Sequence, residues 1–304
     1  MKVGPQITKK EACCLVDHPQ DHSSADLCAR QSRHRRLWST SRARGPGTMT
    51  ETQAKTETFT VTGMAEAAAE SVNRRRRTYE QYVQPCLAEL FGTTMFVFVG
   101  CASVIANGAM SVLQPAVGHG LALGVIIMVL GQISGGHFNP AVSLSVYLCG
   151  GMKLVLLIPY ILVQMLGGII GAGLVKAVYN PGVYDLSSGG AFVVSEGELV
   201  RCTLAEVMMS LLLTTVVCMG AVNRQTSTPV AGFCIGLTVT ANIIAGGSIS
   251  GACMNPARAF GPAVVVNHWT HHWVYWVGPI CGALLTVSFL RLLFGDHKTR
   301  IWLK

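Results

Sequence analysis

The chain has 304 residues, 50% of them hydrophobic and only 12% charged, with a formal net charge of +8. An ordinary soluble domain carries about a quarter charged residues, so this composition excludes one. The positive balance does not mark a nucleic-acid binder either. Residues 1–84 carry 14 basic and nine acidic side chains, residues 85–294 six and five, and residues 295–304 three and one. The excess therefore flanks the apolar region, where basic residues set membrane topology.

Residues 1–84 are rich in Ser, Thr, Gln, Arg and Pro and are expected to form a disordered cytoplasmic tail. They lack the apolar core of a secretory signal. The basic run Arg30–Arg44 has a mitochondrial-presequence flavour, but the acidic residues of the tail oppose that reading. Met49 and Met64 are alternative starts.

Six segments are long enough to cross a bilayer, which takes about 20 apolar residues: Pro85–Ala106, Ala116–Ile133, Leu154–Tyr179, Val200–Val222, Pro229–Ala245 and Trp273–Phe294. Residues 180–199 form a loop with Asp185, Glu196 and Glu198, and residues 295–304 a short C-terminal tail. Arg74–Arg77, Lys153, Arg224, Arg291, Lys298, Arg300 and Lys304 fall on one side, Lys176 and Arg201 on the other. Both termini and the C-terminal tail are thus expected in the cytoplasm, and loop 180–199 on the opposite side.

Two apolar pieces are too short to span. Asn139–Cys149 and Asn255–Val266 each follow a Gly/Ser-rich stretch. Irregular backbone at membrane depth is tolerated only where protein or a water-filled cavity covers it, so these read as re-entrant half-helices.

The halves, 85–179 and 200–294, are copies. Asn139-Pro140-Ala141 recurs as Asn255-Pro256-Ala257, and Glu89 recurs as Glu206. Gly120 and Gly124 pair with Gly232 and Gly236 at a smaller offset, which predicts a re-entrant loop about four residues longer in the second half. Three spans per copy require the copies to be inverted, and inverted repeats place a site near the midplane where broken helices meet. The small-xxx-small pairs Gly120/Gly124, Gly167/Gly171, Gly232/Gly236 and Gly278/Gly282 allow close helix contact.

Asn is a favoured N-cap and Pro a favoured first helical residue. Two such helix ends facing each other form an electropositive collar. Each Asn amide is held by its own backbone and still offers an N–H to a passing oxygen, which interrupts a proton wire. A secondary transporter also uses inverted repeats, but it needs coupling-ion acids near the breaks, and Glu89 and Glu206 sit in unbroken segments. No nucleophile–base pair, phosphate loop or Cys/His metal cluster marks an enzyme. The eleven cysteines form no disulfide pattern, and no metal or other cofactor is expected.

The segments Gly135-Gly136-His137-Phe138-Asn139-Pro140-Ala141 and Gly251-Ala252-Cys253-Met254-Asn255-Pro256-Ala257-Arg258 resemble the two signature loops of the aquaporin family, the major intrinsic proteins. The resemblance covers about Pro85–Phe294. It implies an all-α fold of six spans and two half-helices, assembled as a homotetramer in a lipid bilayer, that passes water and small neutral solutes and excludes protons and ions. It implies that Glu89 and Glu206, with His137, support the re-entrant loops. It places a narrow filter at His119, Ile243, Ala252 and Arg258. Strict water channels of the family carry Phe and His where this chain has His119 and Ile243. That substitution widens the waist, leaves one wall apolar, and adds ammonia and hydrogen peroxide to the expected solutes. Glycerol channels carry Asp where Ala259 stands. Protonation of His119 is expected to tune the filter with pH. Cys253, with Cys101 behind it, is the thiol expected beside the pore. The plasma membrane is the expected location, with the inner mitochondrial membrane as the alternative.

Overall fold

The computed structural model describes residues 68–108 and 110–301, together with residues 64 and 66. The chain divides into Met1–Glu66 and Ala67–Lys304, and everything below concerns the second unit. The readings of Arg30–Arg44, Met49 and Lys304 lie outside the described residues.

The helices that build the core of this unit are α1 (Gln84–Asn107), α2 (Leu113–Ser134), α3 (Pro140–Leu148), α4 (Leu154–Val178), α5 (Leu199–Val217), α6 (Ala231–Ser250), α7 (Pro256–Val266) and α8 (Val274–Phe289). Among the described residues, six helical segments are long and apolar enough to cross a membrane. Large apolar side chains stay exposed on their outer faces, Val129 at 68% and Leu162 at 63%. A continuous apolar surface of that kind needs lipid or a partner chain to cover it.

Residues 68–84 depart from the expected disordered tail. They are helical and run through a π-helical turn, Tyr79–Val83, into α1. Helix formation costs most at its nucleus, and α1 supplies that nucleus. An exposed Arg76–Glu80 ion pair at 2.8 Å, one turn apart, supports the extension. Composition averaged over 84 residues hides this local preference.

α6 also runs five residues beyond the expected span. Gly246, Gly247 and Ser248 stay helical, and the break falls at Gly251 in the left-handed region. α5 and α8 instead end early as α-helix and continue as π-helical turns, Cys218–Val222 and Leu290–Phe294.

The packing reveals the repeat. α1 packs on α4 as α5 packs on α8, and α2 crosses α6 near the centre. Each half-helix leans on the other half of the chain: α3 on α8 and α7 on α4. The two repeats interlock, so neither completes its interior alone. The α2–α6 crossing explains the glycines. A Cβ on Gly120 would lie 2.5 Å from the Gly236 carbonyl oxygen, and one on Gly236 would lie 2.9 Å from the Gly124 Cα.

The re-entrant loops have equal lengths, contrary to the four-residue difference expected from the glycine spacing. Ser134, Gly135 and Asn139 correspond to Ser250, Gly251 and Asn255 at one common offset. Gly124 faces Gly232 in space because the helices cross there; under that offset Gly120 has its counterpart in Gly236.

Residues 180–199 form a folded cap with helical turns at Pro181–Leu186, Ser188–Gly190 and Glu196–Glu198. At the opposite end, Asp296 is buried and its N–H donates to Asn223 Oδ1 at 2.9 Å, which ties the segment after α8 to the α5–α6 connection.

Candidate functional site: the central passage

The site begins with two carboxylates buried at 0% exposure. Glu89 of α1 accepts from Ser134 Oγ at 2.7 Å, His137 N at 2.9 Å, Phe138 N at 2.6 Å and Gln164 Nε2 at 2.9 Å. Glu206 of α5 accepts from Ser250 Oγ at 2.6 Å, Cys253 N at 2.8 Å and Met254 N at 2.7 Å. These bonds occupy the orphan N–H groups of two irregular loops, which buried backbone requires. Tyr160 and Tyr275 complete the match, each donating at 2.8 Å to the carbonyl of the loop serine, Ser134 or Ser250. His137 Nδ1 lies 3.1 Å from Ser143 Oγ, which also accepts from Gln164.

So held, the loops adopt unusual backbone. Phe138, Ala252 and Met254 have φ of 49°, 53° and 56°. Such non-glycine residues cost on the order of 1–3 kcal/mol each and persist only where the surroundings over-determine them. The strain turns the Phe138 and Met254 carbonyls toward the opposite repeat. Asn139 Nδ2 donates to Met254 O at 2.9 Å, and Asn255 Nδ2 donates to Phe138 O at 2.8 Å. Each Asn Oδ1 caps its own helix, accepting from Ala141 N at 2.9 Å or from Ala257 N at 3.0 Å and Arg258 N at 3.3 Å. The two Asn side chains thus clasp the repeats together. Each amide has one N–H left, and both Asn residues line the central cavity. Pro140, Ala141, Pro256 and Ala257 are buried as the first residues of the half-helices.

The passage has two sections. A vestibule of about 810 Å³ lies under the 180–199 cap. It leads to a narrow cavity of about 20 Å³, room for one or two waters at roughly 10–15 Å³ each. His119, Phe192, Ile243 and Arg258 line both sections and so form the waist between them. Ala252 and Cys253 line the narrow section alone.

Arg258 is 2% exposed. Its Nε donates to His119 Nε2 at 3.0 Å and its Nη1 to Gly190 O at 2.9 Å, while the Phe192 ring lies 4.5 Å from the guanidinium carbon. His119 Nδ1 is 2.8 Å from Pro115 O. A carbonyl only accepts, so Nδ1 carries the hydrogen and Nε2 is the acceptor facing Arg258. Both imidazole nitrogens are committed in the neutral form. The expected pH tuning by His119 is therefore corrected: an added proton on Nε2 would face the Arg258 N–H.

Two waist components escape a reading of motifs. Phe192 and Gly190 sit in the loop, far from any signature, and only the inward fold of the cap brings them to Arg258. Gly100 of α1 is a third: a Cβ there would run into the His119 ring. Cys101 is corrected. It is fully buried, lines neither section, and packs behind Gly190. Among the described residues no three His, Cys, Asp or Glu side chains gather as a metal site.

Six apolar spans in two inverted copies, with two half-helices meeting head to head around a water-sized passage, define a multi-pass membrane channel. The chain belongs to the major intrinsic protein family, the aquaporins, channels for water and small solutes; that family matches residues 76–289. Aquaporin-8 of Mus musculus is 56% identical over 229 residues, covering 74% of this chain and 88% of the relative. Aquaporin-8 of Rattus norvegicus is also 56% identical, covering 74% and 87%. A probable aquaporin TIP-type of Medicago truncatula is 38% identical, covering 71% and 89%. The X-ray structure of the aquaglyceroporin from Plasmodium falciparum superposes with a TM-score of 0.64 at 21% identity, covering 70% of this chain and 97% of that one, and shares the fold.

Proposed function

We propose that this channel passes water, ammonia and hydrogen peroxide passively and rejects protons and ions. The observation that carries the reading is the waist. Arg258 gives two donors to His119 and Gly190, and its remaining N–H groups are available to a passing solute. Ile243 lines both sections with no polar atom. A strongly hydrated solute needs partners on every side. Ammonia, which is less strongly hydrated than water, loses less against an apolar wall. A cation meets the guanidinium, a fixed positive charge. Beyond the waist, the spare N–H of Asn139 and of Asn255 orients a water oxygen and breaks the file of hydrogen bonds along which protons would hop.

Glu89 and Glu206 serve as scaffolds, because their oxygens are already committed to the loops. Cys253 is the pore thiol. The basic residues Lys153, Arg224 and Arg291 support cytoplasmic termini. The exposed apolar flanks suit a lipid-embedded homotetramer, placed in the plasma membrane. Stopped-flow measurements on liposomes holding the purified chain test the reading. Water and ammonia fluxes above the lipid background, with no proton current, are expected. Sustained proton leak through the protein would sink the mechanism.

A further inference from the structure

The helical arm before α1 carries four arginines in a row, Arg74, Arg75, Arg76 and Arg77, and residues 71–80 are exposed throughout. Successive residues of a helix turn by about 100°. Arg74, Arg75 and Arg77 therefore share one face, and Arg76 stands on the other. Arg76 is taken up by Glu80 at 2.8 Å. Among the described residues, Arg74, Arg75 and Arg77 enter no ion pair. Glu70 shares their face but lies one turn farther from α1.

The level of this face is set by its neighbours. Tyr79, 48% exposed, and the half-buried Tyr82 follow the arginines directly, and tyrosine at a helix end sits at the headgroup layer. At 1.5 Å per residue, Arg77 lies about 3 Å beyond Tyr79 and Arg74 about 8 Å beyond it. Both distances fall within the Debye length of about 8 Å at physiological salt. The turn between arm and α1, Tyr79–Val83, is π-helical, wider than an α-turn and common at functional joints. Lys153 adds to the patch. A Cβ on Gly167 would lie 2.7 Å from Leu90 O, and one on Gly171 2.6 Å from Thr94 O, so α1 and α4 run parallel. Stepping back equally along both helices brings Lys153, exposed at the start of α4, level with the arginine run.

We propose that Arg74, Arg75 and Arg77, with Lys153 beside them, dock the arm onto anionic phospholipids whose headgroups carry extra phosphates. The phosphate that every phospholipid carries lies at the tyrosine level, below the guanidinium groups. Only a headgroup with further phosphates reaches outward to them. A guanidinium grips a phosphate through two parallel N–H···O bonds. Each basic residue near an anionic surface contributes about fivefold in binding, so the three arginines together contribute roughly a hundredfold. The site stands apart from the passage and goes beyond the channel reading.

The full chain is placed in nanodiscs of phosphatidylcholine alone, with phosphatidylinositol bisphosphate, or with phosphatidylserine at matched charge. Amide hydrogen exchange over residues 70–78 is read by mass spectrometry. A nanodisc offers the lipid on both faces, so the result does not depend on which face is cytoplasmic. Exchange should slow several-fold with the bisphosphate lipid and little with phosphatidylserine. Salt at about 1 M, where the Debye length falls to about 3 Å, should reverse it. The triple change Arg74→Gln, Arg75→Gln and Arg77→Gln keeps good helix formers and should abolish the slowing, while Arg76→Gln should keep most of it. Water flux of the triple variant should match the unchanged chain, which separates docking from conduction. No slowing with the bisphosphate lipid, or slowing that survives the triple change, would overturn the proposal. Equal slowing with phosphatidylserine would overturn the need for extra phosphates. Equal slowing by free inositol trisphosphate in neutral nanodiscs would make a soluble phosphate the ligand. Slowing by polyglutamate and not by the anionic lipid would assign the arm to an acidic protein.

Discussion

Arg258 is the one lining residue of the passage that carries a fixed charge, and three contacts hold it: His119 Nε2, Gly190 O and the Phe192 ring. Because His119 spends Nδ1 on Pro115 and Nε2 on Arg258, it works as a fixed acceptor. Water flux should therefore stay flat across about pH 6 to 8, where a free imidazole titrates. The double change His119→Phe with Ile243→His removes that acceptor and places another at the waist. Water flux should stay within several-fold while ammonia flux falls far more; equal losses would show that these positions do not set the choice. Cys253 lines the narrow section and donates to Asn255 O at 3.0 Å. A mercurial there would obstruct the passage, so Cys253→Ser should abolish inhibition of water flux, and inhibition that survives would place the site elsewhere. His119, Ile243 and Arg258 were anticipated only through the family resemblance that the Asn-Pro-Ala signatures carry. Phe192 was not, because no spacing rule connects a loop residue to a filter it reaches only by folding back.

At the scale of elements, the re-entrant loops depend on acceptors that α1 and α5 bring to them. Glu206→Gln turns one carboxylate oxygen into an NH₂ that faces a backbone donor, the Met254 N–H at one oxygen or the Cys253 N–H at the other. An unmatched buried group of that kind costs about 1–3 kcal/mol. Folded yield should drop more than solute selectivity changes. A variant that assembles normally yet gains pH-dependent flux would show that Glu206 acts on protons instead. The α2–α6 crossing is equally intolerant. Gly236→Val would push a side chain onto Gly124, and overpacking of this kind costs about 1–3 kcal/mol. A lower thermal midpoint in detergent is expected, and an unchanged one would mean that the crossing relaxes freely. Element ends were the poorest part of the sequence reading. The run Gly246-Gly247-Ser248 looks like a breaker, yet it continues α6 because Gly246 packs against the Met209 side chain. Tertiary contact overrode propensity there, as it commonly does.

For the whole molecule, the segment after α8 closes the face opposite the vestibule. The Asp296 carboxylate accepts from Thr299 N at 2.8 Å and Lys298 N at 3.1 Å. These donors, the Thr299 N–H foremost, hold the carboxyl below the usual carboxylate range. A depressed folded pKa stabilises at pH above the unfolded value of about 3.9 and loses that contribution as pH falls through the folded value. Protection of the Thr299 amide from hydrogen exchange should hold at neutral pH and fade below about pH 4. Asp296→Asn should flatten that dependence, and a wild-type amide protected at every pH would refute the account.

The sequence by itself determined what is local. Span length, two half-length segments each opened by Asn-Pro, and the recurrence of Glu89 as Glu206 follow from periodicity, capping and repetition along the chain. Together they require six crossings and a broken-helix centre. Only the tertiary structure decided what depends on contacts between distant residues. It showed that each Asn amide donates across to the other repeat, that His119 is locked as an acceptor, and that Phe192 and Gly190 complete the waist. It also set Cys101 apart from the passage. A capped helix end is specified by neighbours in sequence, whereas a hydrogen bond from Asn139 to Met254 exists only after both repeats have packed.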